Sequence, residues 1–551
     1  MFLLGVARLG PAIKASADVA NECKLQACLK NARSFLKYRT WAALCMAMVL
    51  VACGSVPPTA SEIPVEKLVE PLVSQDTIAQ ACRQRTVHRR GFAGFEMIED
   101  GREAYLARLA VVEAAQYSLD FQYYIWSDDV VGTVFAERLL AAADRGVRVR
   151  LLLDMVLRAQ YEVRTAALAA HPNIEIGFFN PMLAMKGVFA GNLIPVIGGM
   201  DRMQSRMHNK MIVADKAIVI GGGRNLGDCY YGVDTQHNVR DLDFIAVGPV
   251  VQDAAKSFEL FWQSPLTYKG TKATRRGNGH DLQKVREKTA RKKKLLARRN
   301  DFPFPTSMGR TEALRFLKDL SGRMIWAEYE FVADPPERML RRERVASPTW
   351  RTKEEVIELA QREVVLHAAY LIPQEESLEL FRDLCSRGVK VKLLTNSLAS
   401  IDALVAMAGI ANRRRDVLET GANLYEMNAR APIRDKYIHS PKMTPLGMHT
   451  KGMVVDDQLS FIGSYNMDPR SKYINTETGV IINSPAFAAR LKAYLLVDLK
   501  EENCWQVTCE ENGRLCWTGD QLVKYHHDPG TSLYRRISYW LLTHMPWEDL
   551  L

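Results

Sequence analysis

Two blocks of this chain occur twice, at nearly the same separation. Arg145-Gly-Val-Arg-Val-Arg-Leu-Leu-Leu-Asp154 returns as Arg387-Gly-Val-Lys-Val-Lys-Leu-Leu-Thr-Asn396. Met207-His-Asn-Lys-Met-Ile-Val-Ala-Asp215 returns as Met448-His-Thr-Lys-Gly-Met-Val-Val-Asp456. From the arginine that opens the first block to the histidine of the second there are 63 residues in one half (145 to 208) and 62 in the other (387 to 449). Similarity held at fixed spacing marks a duplicated architecture. Each half is therefore expected to form one α/β unit of about 180–240 residues, large but permitted for a domain. The first block reads as a helix end, a glycine cap and a buried strand, since glycine accepts the left-handed conformation that closes helices. Helical stretches at 134–145 and 377–387 alternate with such strands and imply helices packed on a mixed sheet. With 551 residues, 48% of them hydrophobic and 25% charged, the chain is neither disordered, collagen-like, coiled-coil nor a multi-span membrane protein.

The second block carries the chemistry. Along a strand, residues i and i+2 share a face, so His208 and Lys210 point the same way. If Asp215-Lys216 is a two-residue turn, His208 lies opposite Gly223 and Lys210 opposite Gly221. Gly222-Gly223-Arg224-Asn225 then returns beside the histidine, with glycine N–H groups exposed and an Asn amide as donor. The same reading around Asp456-Asp457 sets His449 opposite Ser464 and brings Gly463-Ser464-Tyr465-Asn466 back beside it. Each half thus offers an imidazole, an ammonium and an amide. Two such surfaces would surround a tetrahedral anion with donors, which suits phosphoryl chemistry without a metal or cofactor. Imidazole titrates near neutrality, so one histidine can attack phosphorus while the other protonates the leaving oxygen.

These residues resemble the phospholipase D superfamily, marked by H-x-K-x4-D-x6-G-[GS]-x-N twice per active site. Both copies match at every defined position: His208, Lys210, Asp215, Gly222, Gly223 and Asn225, then His449, Lys451, Asp456, Gly463, Ser464 and Asn466. The resemblance covers roughly residues 85–551. It implies two α/β/α sandwich halves, related by a pseudo-twofold axis around one shared site, and a two-step reaction through a phosphohistidine. The catalytic set it implies is His208, Lys210, Asp215, His449, Lys451 and Asp456. The two aspartates sit at turns and look structural. Gly223, Asn225, Ser464 and Asn466 are the implied phosphate-binding positions. An acid downstream of each motif would hold that motif's histidine through its other nitrogen, at Asp241 for His208 and Glu477 for His449, although Asp243 shares a strand face with Asp241. By analogy His208 is the nucleophile and His449 the acid, an order that near-symmetry leaves open.

Gly222–Gly232, Asp241–Pro249, Thr395–Asp402 and Leu424-Tyr-Glu426 look like the bacterial cardiolipin synthase C type. That group implies phosphatidyl transfer between phosphatidylethanolamine and phosphatidylglycerol, with a second phospholipid releasing the phosphatidyl-enzyme. The same site would serve a hydrolytic phospholipase D using water, or a nuclease. Two apolar features suit a lipid: segment 181–200, an acyl-chain entrance or ordinary core, and an amphipathic helix over 532–545. That helix either meets a membrane surface or docks on its own domain.

Residues 1–52 carry seven basic and two acidic groups and end in an apolar run from Trp41 to Ala52, too short to span a membrane. Leu50-Val51-Ala52-Cys53-Gly54-Ser55 resembles a bacterial lipobox, with Cys53 the site of lipid attachment. The domain plan is then a signal and lipobox at 1–53, a tether at 54–84, half 1 at 85–268, a basic linker at 269–304, and half 2 at 305–551. The expected location is the cell envelope, facing the periplasm. The formal charge of +10 resolves into +5 on the leader, +11 on 269–300 and −6 on the rest. So concentrated a strip points to an anionic membrane surface or a solvated linker and argues against nucleic acid, which wants charge spread along a groove. No partner protein is indicated. Cys82, Cys229 and Cys385 read as core residues. The Asn512-Gly513 turn would set Cys509 opposite Cys516, as a disulfide or as two buried thiols. No Cys/His set has zinc-ligand spacing.

Overall fold

The computed structural model describes residues 91–154, 168–180, 205–269, 302–340 and 344–544, with isolated helical positions between 283 and 295. Cys53, Cys82, the leader, the tether, segment 181–200 and most of the basic linker lie outside them.

Half 1 contains β1 (Ala93–Ile98), β2 (Ser118–Tyr123), β3 (Arg148–Asp154), β4 (Ile174–Phe179), β5 (Met211–Ala214), β6 (Ile218–Gly222), β7 (Asn238–Arg240), β8 (Asp243–Val247) and β9 (Thr267–Lys269). Half 2 contains β10 (Ile325–Ala333), β11 (Glu363–His367), β12 (Lys390–Asn396), β13 (Asn423–Met427), β14 (Leu446–Met448), β15 (Gly452–Val455), β16 (Leu459–Gly463), β17 (Thr478–Asn483), β18 (Cys504–Cys509), β19 (Leu515–Thr518) and β20 (Lys524–Tyr525). The first sheet runs β1-β8-β6-β5-β2-β3-β4-β9, with β2, β3 and β4 parallel. The second repeats it as β10-β17-β16-β15-β11-β12-β13-β18, with β11, β12 and β13 parallel, and adds β19 and β20 at its edge. Antiparallel pairing of β1 with β10 (Gly94 opposite Trp326) joins the two into one sheet of 18 strands among the described residues.

Helices cover both faces of each half. In half 1, α1 (Gly101–Ala114) and α2 (Val130–Asp144) pack on one side and α3 (Val250–Gln263) on the other, with α4 (Arg310–Arg323) laid on α1. In half 2, α5 (Pro348–Glu358), α6 (Glu375–Ser386) and α7 (Leu404–Glu419) occupy one side and α9 (Pro485–Asp498) the other; α8 (Arg434–Tyr437) is a single turn and α10 (Leu533–Thr543) closes the described chain. The starts obey local chemistry. Asp100, Asp129, Ser347 and Ser484 each accept an N–H from the first helical turn, and Pro348 and Pro485 stand where a helix needs no donor. The repeated Arg-Gly-Val closes α2 and α6 as expected, with Gly146 and Gly388 left-handed (φ 94° and 83°). Each half has its own outer core, and a third core contains α3 and α9 together, with Phe95, Phe244, Phe258, Met448, Phe487 and Leu491. The two halves therefore share apolar packing as well as a sheet.

Two expectations about the periphery are corrected. The β18–β19 hairpin pairs Thr508 with Cys516 and Cys509 with Leu515, because its turn holds three residues, with Gly513 left-handed (φ 76°). Cys509 and Cys516 therefore face opposite sides of the sheet, and both are free, the first exposed and the second buried. Cys229 and Cys385 are half-buried free thiols rather than core residues. None of the described helices is long and apolar enough to cross a membrane.

Candidate active site

Both hairpins carry an extra residue in the turn. Asp215 and Lys216 are left-handed (φ 49° and 51°), as are Asp456 and Asp457 (52° and 59°). Ala214 faces Ile218, however, and Val455 faces Leu459. The register is thus one residue away from the two-residue-turn expectation. Lys210 stands opposite Gly222 rather than Gly221, and continuing the pairing sets His208 against Arg224 and His449 against Tyr465. The turn aspartates explain the geometry. Asp215 accepts the N–H groups of Gln116, Tyr117 and Ser118 at 2.8–2.9 Å, tying the turn to the entry of β2. Asp456 does the same for Gln361, Arg362 and Glu363 at the entry of β11. Both aspartates thus brace the turns at the far end of the hairpins from the histidines.

The histidines sit at the opposite end of these strands, in the seam between halves. There the acids are exchanged. His208 Nδ1 lies 2.8 Å from Glu477 Oε2, and His449 Nδ1 lies 2.6 Å from Asp241 Oδ2. The backbone makes the same crossing. The His208 N–H donates to Thr476 O at 2.9 Å and the His449 N–H to Arg240 O at 2.7 Å. Short parallel pairings carry it, β7 with β14 and Met207 with Thr476. Of the two aspartates on this strand face, Asp241 is the one that meets a histidine. Asp243 is committed to Arg108 and Arg224 at 2.9 and 3.1 Å. Arg240 is anchored by Asp498 and lies over the Tyr494 ring at 3.9 Å, so α9 fixes the strand that delivers Asp241.

The other motif residues divide by task. Lys210 Nζ donates to His208 O at 2.5 Å and Lys451 Nζ to His449 O at 2.6 Å, which folds each ammonium against its own histidine. Gly223 and Ser464 lie against the acids. Their N–H groups donate to Leu242 O and Thr478 O, so neither is exposed as expected. A Cβ at Gly223 would come within 2.1 Å of Asp241 Oδ1, so only glycine admits the carboxylate there. In the other half Ser464 Oγ donates to Glu477 Oε2 at 2.5 Å, and Ser471 Oγ to Oε1 at 2.9 Å. Asn225 accepts the Ile125 N–H and donates to Tyr230 Oη at 2.8 Å, while buried Asn466 Oδ1 has no hydrogen-bond partner among the described residues.

Several residues at the site carried no motif signal. Tyr124 packs edge-on to His208 and Tyr230 edge-on to His449, with centroids 5.1 and 5.2 Å apart. Asp334 accepts the Glu477 N–H at 2.9 Å. Asp154 and Asn396, the last residues of the repeated strand block, accept the N–H of Met207 and Met448, each just before its histidine. Their place at the end of both copies was the signal that could have found them.

Burial dominates the electrostatics. It lowers His208 well below the ordinary imidazole value, helped by Lys210 and Lys451. His449 is also lowered by burial and Lys451, but Asp241 pulls the other way. Burial pushes Lys210 down to about 7 and Lys451 to about 8. Burial raises Glu477, whereas for Asp241 the His449 imidazole and Lys451 outweigh burial and hold the carboxyl low. Both Nδ1 atoms are engaged by carboxylates, which leaves the Nε2 atoms as the reactive nitrogens. Two such nitrogens and two ammoniums in one dry seam can take a phosphodiester through nucleophilic displacement and proton transfer.

Behind the site, buried Lys353 lies 4.8 Å from the Tyr465 ring and 5.1 Å from that of Phe461, and its Nζ has no hydrogen-bond partner among the described residues. Burial brings it down to about 7. The unfolded chain holds that proton up to an ordinary lysine value, so the folded state gains relative stability as pH rises through 7 toward 10. Lys353→Met should therefore stabilise the protein by about 1–3 kcal/mol, more at pH 6 than at pH 9. Urea midpoints at the two pH values measure it.

Comparison with known proteins agrees with this geometry. The family described as "Cardiolipin synthase, PLD-like domain" matches residues 109–262 and 354–498, one segment in each half. Cardiolipin synthase C of Escherichia coli (strain K12) is 31% identical over 481 residues, covering 84% of this chain and 97% of that protein. Cardiolipin synthase B of Shigella flexneri is 25% identical over 401 residues, covering 72% and 78%. Twin histidine–lysine hairpins, a duplicated sheet and a match reaching into both halves lead to one conclusion: this chain belongs to the cardiolipin synthase family with phospholipase D-like domains.

Proposed function

We propose that this chain is a phosphatidyl transferase that makes cardiolipin from two phospholipids, phosphatidylethanolamine and/or phosphatidylglycerol. The observation that carries the reading is the exchanged pair of carboxylates, which readies both imidazoles in one seam. His208 Nε2 attacks the phosphorus of the donor lipid. The bond from phosphorus to the head-group oxygen breaks, and that oxygen takes the proton of His449 Nε2. The hydroxyl of the second lipid then returns a proton to His449 and attacks phosphorus, breaking the phosphorus–nitrogen bond. The stronger depression of His208 suits a neutral nucleophile, and the Asp241 carboxylate beside His449 suits an acid. Lys210, Lys451 and the Asn225 and Asn466 amides would stabilise charge on the phosphoryl oxygens. Purified protein in mixed vesicles of the two lipids should yield cardiolipin. Phosphatidic acid alone would overturn the transferase in favour of a hydrolase, and cleaved DNA with neither lipid product would overturn both.

Membrane contact at an anionic surface belongs to the same reading. Helix α10 docks by its polar side: Arg535 donates to Leu398 O and Ile401 O, and Tyr539 to Asp528. Its apolar side faces outward, with Leu533, Tyr534, Ile537, Trp540 and Leu541 each more than half exposed. Docking thus occupies one face of this segment, and the exposed apolar face supports contact with a membrane surface. The loop it grips follows Asn396, which supports His449. We expect Ile537→Asp/Trp540→Asp to reduce flotation with anionic vesicles at least about tenfold and to leave turnover of a soluble short-chain lipid unchanged. For envelope anchoring through Cys53, loss of acyl labelling in Cys53→Ser is the corresponding test.

A further inference from the structure

The C-terminal meander brings together a thiol, an imidazole and a carboxylate that phosphoryl transfer does not use. Cys516 stands opposite Thr508 on β18, and Trp517 opposite Tyr525 on β20, so the next position on β20 sets His526 opposite Cys516. Glu510 is two residues beyond Thr508 and shares its face. Cys516 Sγ, a ring nitrogen of His526 and a carboxylate oxygen of Glu510 all lie within 4.8 Å of one another. The thiol is buried, with a weak contact to Thr518 Oγ1 at 4.0 Å. His526 Nε2 is 3.9 Å from Glu510 Oε1, too far for a hydrogen bond. Three side chains from three stretches of backbone converge on one face with their donor atoms largely uncommitted. Sequence spacing could not reveal them, because the register across three strands, and no short motif, assembles the set.

We propose that Glu510, Cys516 and His526 bind a zinc-class divalent cation. A thiolate with an imidazole excludes calcium and magnesium, which take oxygen ligands, and one carboxylate completes a borderline-soft set. Bond lengths of about 2.0–2.3 Å to zinc need ligand atoms about 3.5 Å apart, so the side chains close by about 1 Å. Glu510 and His526, each about a third exposed, have the freedom to do so. Water fills the fourth position. On binding, the Cys516 thiol gives its proton to solvent and His526 coordinates as the neutral ring. Cys509 faces away, toward Arg415, and takes no part. The cation would staple the β18–β19 turn to β20, closing the outermost edge of the half 2 sheet, and would leave the histidine pairs untouched.

The test uses the untagged full chain, dialysed against chelator and titrated with Zn²⁺ and, separately, Co²⁺. Saturable binding of a single equivalent is expected, with a thiolate-to-cobalt charge-transfer band. Loss of a residue that merely orients a metal ligand already costs about 10–100-fold, so loss of the ligands themselves in Cys516→Ala and His526→Ala should each weaken Zn²⁺ at least about a hundredfold, and Cys516→Ala should abolish the band. Glu510→Gln, isosteric and outside the core, should weaken it about tenfold, and Cys509→Ala should change nothing. Absence of saturable binding in the wild type, or equal affinity across these variants, would overturn the site and leave an adventitious ion only. Cardiolipin formation should be the same in chelator and in Zn²⁺, so this result is separable from the proposed activity.

Discussion

His208→Ala should lower cardiolipin formation by at least about 10⁴-fold, because removing a nucleophile leaves only binding and charge stabilisation. His449→Ala should cost about 10²–10⁴-fold, the range for a lost general acid. The two are separable by leaving group. A donor lipid carrying a nitrophenyl group needs no proton at departure, so the first step should recover in His449→Ala and stay absent in His208→Ala. Rapid-mixing release of nitrophenol measures this, and the reverse pattern would exchange the roles of the two histidines. Both lysines must remain cationic to act on phosphate. With Lys210 at about 7 and Lys451 at about 8, wild-type turnover should already decline as pH rises through 7, and more steeply beyond 8, well below an ordinary lysine.

Asp241→Asn and Glu477→Gln should each reduce turnover about 10⁴-fold, the scale on which an amide in place of the orienting carboxylate fixes the wrong tautomer. Their spectroscopic effects should cross the duplication. Glu477→Gln, in half 2, should shift the ring nitrogens of His208, and Asp241→Asn, in half 1, those of His449. Nitrogen-15 spectra of labelled histidine read this directly. Loss of Asp241 also removes the carboxylate that supports the charged form of His449, so its titration should move lower still.

The site's residue types were legible from the chain because phosphoryl chemistry needs the same few groups in each half, and duplication wrote them twice. The strands and the glycine caps after α2 and α6 follow from those copies, whereas Asp241 and Glu477 were reached through the resemblance to the phospholipase D superfamily. Three things were not legible. The hairpin register depended on a turn of three residues rather than two, set by an aspartate bonded to a strand about a hundred positions earlier. The use of Gly223 and Ser464 as supports for the acids depended on sheet hydrogen bonds that consume their N–H groups. The exchange of carboxylates depended on β7 pairing with β14, a contact between halves that no local pattern encodes. Local chemistry shows in sequence, whereas the partner of a strand from the other half does not.

That exchange has a consequence for how such an activity depends on amount. A half-length chain would carry one imidazole and a carboxylate meant for someone else's imidazole, so catalysis would exist only in pairs and would vary with the square of concentration when pairs are scarce. Joining the halves in one polypeptide replaces that mass-action requirement with a fixed effective concentration, of millimolar order for a flexible connection. Activity then scales in simple proportion to the number of molecules, even where very few of them are present.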